Sequence, residues 1–146
     1  MAPIGPRHAA AVSRLTRLLV AAADEAAIEW VQNPLRLSGL SEPQPDVALL
    51  RPRADFSEGA LPAASDALLV IEVSDTTADF DRSTKRPLYA AAGISEVWIV
   101  DLPEPLIEIA TVPTGETCSR IRQLSDGTVT PSLLPEISIS ISEPFG

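Results

Sequence analysis

The first clear pattern in the chain is an apolar stripe with three- and four-residue spacing, between Pro6 and about Ile28. This spacing predicts an amphipathic helix whose apolar side packs on a sheet. The stripe consists of His8, Val12, Leu15, Leu19, Ala22 and Ala26. The stretch IEWVQNPLRL follows with rough alternation, and its Pro34 indicates an edge strand or a bulge.

Two apolar runs in the middle of the chain are typical of buried strands. The first is short and extends from Asp46 to Arg51. The second, ALLVIEVS, extends from Ala67 to Ser74 and has the continuous apolar character of a strand that is covered on both faces.

A helix is predicted between the second of these strands and the next one. Thr84 can serve as its N-cap, Pro87 is tolerated in its first turn, and Gly93 can close it after about nine residues. The apolar run from Ser95 to Leu102 then predicts another strand. A strand, a helix and a strand in this order form a right-handed crossover, which implies a parallel strand pair.

The rest of the chain is predicted to form antiparallel strands separated by turns at PTGE and SDG. The strand segments are LIEIATV, TCSRIRQL, GTVTPSL and ISISI. The 146 residues are enough for one domain with a core but too few for two ordinary ones. We therefore predict a single α/β domain over residues 1–146, with a mixed central β-sheet flanked by helices.

The charge, the cysteine count and the apolar runs indicate which partners and which location to expect. A formal net charge of -9 argues against tight, non-specific binding to phosphate backbones, although basic residues cluster near the start and in the middle of the chain. One cysteine, Cys118, cannot form an internal disulfide. The chain has no apolar run that could span a bilayer and no signal-peptide pattern, so we expect a cytoplasmic protein without a membrane partner.

Glu72 raises the main chemical question because it lies inside an apolar strand. A buried carboxylate needs an ion pair, a raised pKa, a metal or an exposed strand end. If the two central strands are neighbours, Asp46 and Glu72 converge at one end of the sheet, close to Lys85 at the predicted helix start. Two carboxylates and the carbonyl of Val73 would suit Mg²⁺ or Mn²⁺, and the lysine could orient a water or offset phosphate charge.

Simpler interpretations of the same residues stay open. A lysine in the first turn of a helix opposes the helix dipole, and Asp79 or Asp81 could pair with Lys85 to compensate. Asp46 follows a proline at a strand start, which is also ordinary loop chemistry. His8, the one histidine, lies on the apolar stripe, which favours core packing with one nitrogen satisfied over metal binding.

The same residues carry a resemblance to a known family. The runs GPRHAAAVSRLTRLL, VQNPLRLSGLSEPQPDVALLRPR and LLVIEVSDTTADFDRSTKRPLYAAAGISEVWIVDL resemble the Uma2 family, a variant of the PD-(D/E)XK nuclease superfamily. The resemblance implies a restriction-endonuclease-like core, with Pro45 and Asp46 as the PD half-motif and Glu72 as the acidic residue of the second half. The usual lysine position is Ser74 here, and the family's lysine maps to Lys85.

The resemblance implies a function and an alternative. The implied function is that of a magnesium- or manganese-dependent DNA endonuclease, in which Asp46, Glu72 and Lys85 are catalytic and Asp46, Glu72 and Val73 bind the metal. Nucleases of this type often act as homodimers. Relatives usually carry a further N-terminal helix and hairpin, so we expect a shortened chain. The alternative is a non-catalytic remnant of the fold that acts as an interaction module.

Overall fold

A six-stranded mixed sheet forms the centre of the molecule in the computed structural model, which describes residues 5–38 and 41–146. The strands lie side by side in chain order, and only β3 and β4 are parallel. The strands are β1 (Ile28–Val31), β2 (Val47–Leu50), β3 (Ala67–Ser74), β4 (Glu96–Asp101), β5 (Leu106–Thr114) and β6 (Thr117–Leu124). The prediction of a mixed sheet flanked by helices is confirmed.

The predicted central strands are confirmed in position, the predicted parallel pair is β3 with β4, and β2 and β3 meet the condition that they are neighbours. All eight residues of β3 are buried, as its continuous apolar pattern indicated. β2 pairs with β3 in antiparallel register, with Val47 opposite Ile71, and β4 pairs with β3 in parallel. The start of β2 therefore lies beside the C-terminal end of β3, which is where Asp46 and Glu72 meet.

The two faces of the sheet carry separate cores. Leu69, Ile71 and Val73 of β3 belong to the core that also contains the first helix, α1 (Pro6–Ala23). Val70 belongs to the other core, together with Tyr89 of the second helical region. Because successive strand residues point to opposite faces, Glu72 and Ser74 share the face of Val70 and point towards the second helical region.

The first helix is shorter than its apolar pattern predicted. α1 ends at Ala23, a short 3-10 turn (Asp24–Ala26) follows, and Ile28 already begins β1. The buried stripe is Ala11, Val12, Leu15, Leu19 and Ala23, whereas Ala22 and Ala26 are exposed and His8 is half-buried. Asp24 has a positive φ of 48°, so the backbone leaves the helix there. None of the helices within residues 5–38 and 41–146 is both long and apolar enough to cross a membrane.

The second helical region begins earlier than predicted. It consists of α2 (Ala78–Phe80), a π-helical turn (Asp81–Lys85) and α3 (Arg86–Ala91), and we call it the crossover helix. The residue at the N-cap position is Thr77 and not Thr84, so Lys85 lies inside the helix and the expected conflict with the helix dipole does not arise. Pro87 has no N–H to donate and follows the π turn, where the hydrogen-bond register changes. Gly93 closes the helix with a φ of 82°, as predicted.

The C-terminal part of the chain is only partly as predicted. β5 and β6 form the expected antiparallel hairpin. The remaining two strands are much shorter than expected and form a separate two-stranded sheet, β7 (Thr128–Val129) with β8 (Ile139–Ser140). Val129 and Ile139 pack into the core on the α1 face, so this small sheet covers part of that core.

Candidate active site

Asp46 and Glu72 are joined by hydrogen bonds between the starts and ends of their neighbouring strands: Glu72 accepts from the backbone of Asp46, and Asp46 accepts from the backbone of Val73. The N–H of Asp46 donates to Oε1 of Glu72 at 3.0 Å, and the N–H of Val73 donates to Oδ2 of Asp46 at 2.7 Å. The N–H of Gln32 also donates to the carbonyl of Asp46 at 3.1 Å. These bonds fix both carboxylates at one end of the sheet, so the structure brings together the two acidic residues singled out from the sequence.

Lys85 completes the group predicted from the sequence. Its Nζ lies 2.6 Å from Oε2 of Glu72, whose side chain is 2% exposed, while the lysine side chain is 31% exposed. The interpretation in which Lys85 pairs with Asp79 or Asp81 is therefore wrong, because its ion pair is with Glu72. Asp79 is exposed, and Asp81 accepts hydrogen bonds from Ser74 and Thr77.

The proton affinities at this site follow from burial and from the close charges. Burial raises the pKa of Glu72 to about 7, the negative charge of Asp46 adds to the rise, and Lys85 opposes it. Burial alone would lower the pKa of Lys85, but Glu72, Asp81 and Asp46 outweigh it and the pKa is raised. Lys85 therefore stays protonated at neutral pH and can supply a positive charge, but it cannot act as a general base there.

His8 is the site residue that the sequence analysis missed. Its Nε2 lies 3.1 Å from Oδ1 of Asp46, so the histidine borders the carboxylate pair instead of packing in the core. Its Nδ1 is buried and has no hydrogen-bond partner in residues 5–38 and 41–146. The predicted single satisfied nitrogen is correct, but its partner is the candidate site. The position of His8 at the start of α1 was the available signal, because α1 packs across β2 and β3.

Ser74, which the resemblance places at the usual lysine position, is bonded to the crossover helix in the structure. Its hydroxyl donates to Oδ2 of Asp81, and the hydroxyl of Thr77 donates to the same oxygen at 3.2 Å. Asp81 is buried and begins the π-helical turn that ends at Lys85. The serine therefore helps to hold the turn from which Lys85 reaches Glu72.

Comparison with known proteins identifies the family of the chain. The model of the Uma2 family, described as "Putative restriction endonuclease", matches residues 1–142. The chain belongs to the Uma2 family. No curated protein is significantly similar to it.

A solved structure has a fold similar to that of this Uma2 protein. It is the crystal structure of a protein described as "a putative nuclease belonging to DUF820" from Anabaena variabilis. The TM-score is 0.73 at 19% sequence identity, and the match covers 99% of the Uma2 chain and 83% of the other chain. The predicted restriction-endonuclease-like α/β fold is thus confirmed, while the catalytic and metal-binding roles of single residues stay predictions.

A second polar cluster anchors the crossover helix of the Uma2 protein to the sheet. Arg82 contacts Asp101 at 2.9 Å and Glu108 at 3.4 Å, and Arg86 also pairs with Glu108. Asp101 and Glu108 are almost fully buried. These pairs could not be predicted from the sequence, since they depend on the register of β4 with β5. Because Arg82 and Arg86 flank Lys85 along the helix, the cluster fixes the segment that carries the lysine.

Tyr89 packs beside the candidate site in the core. It is fully buried, and its hydroxyl has no hydrogen-bond partner in the part of the chain that the structure describes. Burial raises the pKa of the Tyr89 hydroxyl, and the negative charges of Glu72, Asp46 and Asp81 raise it further. The tyrosine is therefore neutral at physiological pH and forms part of the core on this face of the sheet.

The donor atoms at the site fit a hard divalent cation bound in part by water and substrate. Within residues 5–38 and 41–146, no three His, Cys, Asp or Glu side chains form a group that could hold a metal. Two carboxylates are nevertheless sufficient for Mg²⁺, which usually keeps several waters and binds substrate phosphate. The N–H of Val73 points to Asp46, and a strand residue's carbonyl faces the same side as its N–H, so this carbonyl can be a third donor.

Proposed function

We propose that the Uma2 protein is a divalent-metal-dependent DNA endonuclease with its active site at Asp46, Glu72 and Lys85. The observation that carries the proposal is the meeting of these three residues at one sheet end, with Lys85 Nζ 2.6 Å from Glu72 Oε2 and Asp46 N 3.0 Å from Glu72 Oε1. Membership of a family described as "Putative restriction endonuclease" supports phosphodiester hydrolysis and DNA as the substrate.

Asp46, Glu72 and the carbonyl of Val73 would hold Mg²⁺ or Mn²⁺. A cation held there would lower the pKa of a water and offset charge on the scissile phosphate. Each carboxylate oxygen has two lone pairs, so Glu72 can keep its contacts with Asp46 N and Lys85 and still offer a ligand. Asp46 can likewise keep its bonds to Val73 and His8.

Lys85 would act as a fixed positive charge beside the phosphate. Its raised pKa keeps the ammonium protonated, and about a third of its side chain is open to solvent, so a substrate oxygen can reach it. An ammonium placed next to a phosphate stabilises the negative charge that develops during the displacement, or orients the attacking water by a hydrogen bond. The proton on Lys85 is therefore used for binding and not for transfer.

A non-catalytic interaction module is the second candidate function, and one observation favours it. Each site carboxylate already has a cationic or hydrogen-bonding partner within the chain, Lys85 for Glu72 and His8 for Asp46. With such internal pairing, the only role of the carboxylates would be to stabilise this end of the sheet. In that case neither metal nor nucleic acid would be needed at the site.

Nicking of supercoiled plasmid separates the two candidates. The parent chain should convert supercoiled to open-circular DNA with Mg²⁺ or Mn²⁺ and not with EDTA, and Lys85→Ala should lose at least about a hundredfold in rate. Arg51→Ala is the matched control, because it removes one exposed cation at the opposite end of β2. Equal nicking by the parent and Lys85→Ala, or none by the folded parent, would overturn the proposal.

The homodimer and the cytoplasmic location stay predictions.

A further inference from the structure

The first helix carries the charge opposite to that of the whole protein. The formal net charge of the chain is -9, yet α1 contains three arginines and no aspartate or glutamate from Pro6 to Ala23. Arg7 and Arg14 are two helical turns apart and therefore share one face, about 10 Å from each other along the axis. Arg17 lies on another face, where it lines a different cleft with Val31 and Gln32.

Arg7 and Arg14 line a cleft whose remaining walls are uncharged. The cleft has a volume of about 450 Å³, and its other walls include Leu102, Pro105 and Phe145. The two arginines are the only charged residues among those that line it within the described chain. An open cleft with two cations and no carboxylate in its lining is complementary to a polyanion and not to a cation.

The cleft begins next to the candidate active site. Arg7 Nη1 lies 3.3 Å from Oδ1 of Asp75, the residue that follows β3, and the neighbouring residue of Arg7 is His8, which contacts Asp46. The N–H of Leu102 donates to the carbonyl of Ser74 at 2.9 Å, which ties the far wall of the cleft to the same strand end. A chain of phosphates lying along Arg14 and Arg7 would therefore lead towards the strand end that carries Asp46.

We infer that Arg7 and Arg14 form a binding surface for the DNA phosphate backbone, which guides the substrate strand into the candidate site. This inference rests on the proposed function for its choice of DNA. Arg7 is weakly held in the free protein, because its side chain is 62% exposed and its partner Asp75 is also accessible to solvent. A phosphate can therefore replace Asp75 at little cost, and the guanidinium can bind its oxygens in a bidentate manner.

The salt dependence of binding tests this surface without any cleavage. Fluorescence anisotropy of a labelled DNA duplex in EDTA would be measured from 50 to 200 mM salt with the parent and with Arg7→Gln/Arg14→Gln. Each phosphate contact contributes about 0.9 to the slope of log affinity against log salt, so the double variant should lower the slope by about 2. The parent should then lose about ten times more affinity than the variant over this range.

Two further double variants test whether the change in slope is specific to Arg7 and Arg14. Arg51→Gln/Arg53→Gln is the matched control, since it removes two exposed arginines at the other end of β2, one of them paired with an aspartate as Arg7 is. This control should keep the parent slope, and Arg7→Lys/Arg14→Lys should keep most of it. An equal fall of the slope in the control, an unchanged slope in the α1 variant, or no binding of DNA by the parent would each overturn the inference.

The salt dependence of DNA binding and the nicking of plasmid test the two proposals separately. A lowered slope without nicking would support the arginine surface and contradict the endonuclease proposal. Nicking by a chain whose slope does not depend on Arg7 and Arg14 would support the endonuclease and contradict the surface.

Discussion

Lys85 reaches Glu72 across the interface between the crossover helix and the sheet, with Nζ 2.6 Å from Oε2. The pair is asymmetric, because the glutamate is almost fully buried whereas the lysine is partly open to solvent. Burial raises the pKa of Glu72 to about 7 even with the lysine present, so the carboxylate changes its charge close to physiological pH. Several properties of the protein should therefore depend on pH between about 6 and 8.

Removal of the lysine should destabilise the protein more at high pH than at low pH. Lys85→Met keeps the length of the side chain but leaves Glu72 buried without its cation, at a cost on the order of 2 kcal/mol when the glutamate is charged. The folded-state pKa of Glu72 lies above its value in the unfolded chain, so the folded state binds more protons and loses stability as the pH rises towards the folded-state pKa. Urea denaturation at pH 6 and pH 8.5 measures the free energy of unfolding of the parent and of Lys85→Met. An equal loss of stability at the two pH values would contradict an ion pair between Lys85 and a charged Glu72.

Affinity for a divalent cation should rise with pH through about 7. Glu72 must lose its proton to bind the metal, so the apparent affinity should fall about tenfold for each pH unit below that value. Calorimetric titration of Mn²⁺ at pH 6, 7 and 8 measures this dependence. Glu72→Gln should bind weakly at every pH, whereas Glu58→Gln, an exposed control, should follow the parent. A parent affinity that is constant from pH 6 to 8 would exclude Glu72 as a ligand.

His8 should set the geometry of Asp46. His8→Ala removes the contact to Oδ1 and leaves the bond from Val73 N to Oδ2, so the carboxylate can rotate. Loss of such a supporting contact typically lowers metal affinity by about 10 to 100-fold. His8→Gln, whose amide can donate to the same oxygen, should recover part of it. If His8→Ala binds Mn²⁺ as tightly as the parent in the same titration, the histidine has no role in positioning Asp46.

Glu108 should be important for stability, because it is the carboxylate shared by Arg82 and Arg86. Glu108→Gln would remove the charge that both arginines face, at a cost on the order of 3 kcal/mol for a buried pair. Glu104→Gln is a suitable control, since Glu104 is exposed in the same region of the chain. Thermal unfolding of the two variants gives the comparison, and equal melting temperatures would show that the cluster contributes nothing.

The strands could be predicted from the sequence because apolar burial determines them. Ala67–Ser74 is a continuous apolar run apart from its last polar positions, and its length and bounds were correct. The convergence of Asp46 and Glu72 followed once β2 and β3 were placed side by side. Since these two steps use only burial and strand pairing, the carboxylate half of the candidate site was accessible from the sequence.

The start of the crossover helix could not be predicted in the same way. Its first turns present Asp81, Arg82 and Lys85 to the sheet. These side chains contact Ser74, Asp101 and Glu72 of the sheet, respectively. An interface built from ion pairs has no apolar stripe, so the segment resembled a loop. His8 was misjudged for a related reason, because the contact with Asp46 depends on how α1 crosses the end of the sheet.

The most direct test of the account is the nicking rate of Glu72→Gln with Mg²⁺ at pH 8. Glutamine preserves the shape of the side chain and an acceptor for Asp46 N, but it removes the charge that a metal would need. We predict at least about a hundredfold loss of plasmid nicking relative to the parent, with a melting temperature close to that of the parent. A folded Glu72→Gln variant that nicks at the parent rate would contradict catalysis at this site.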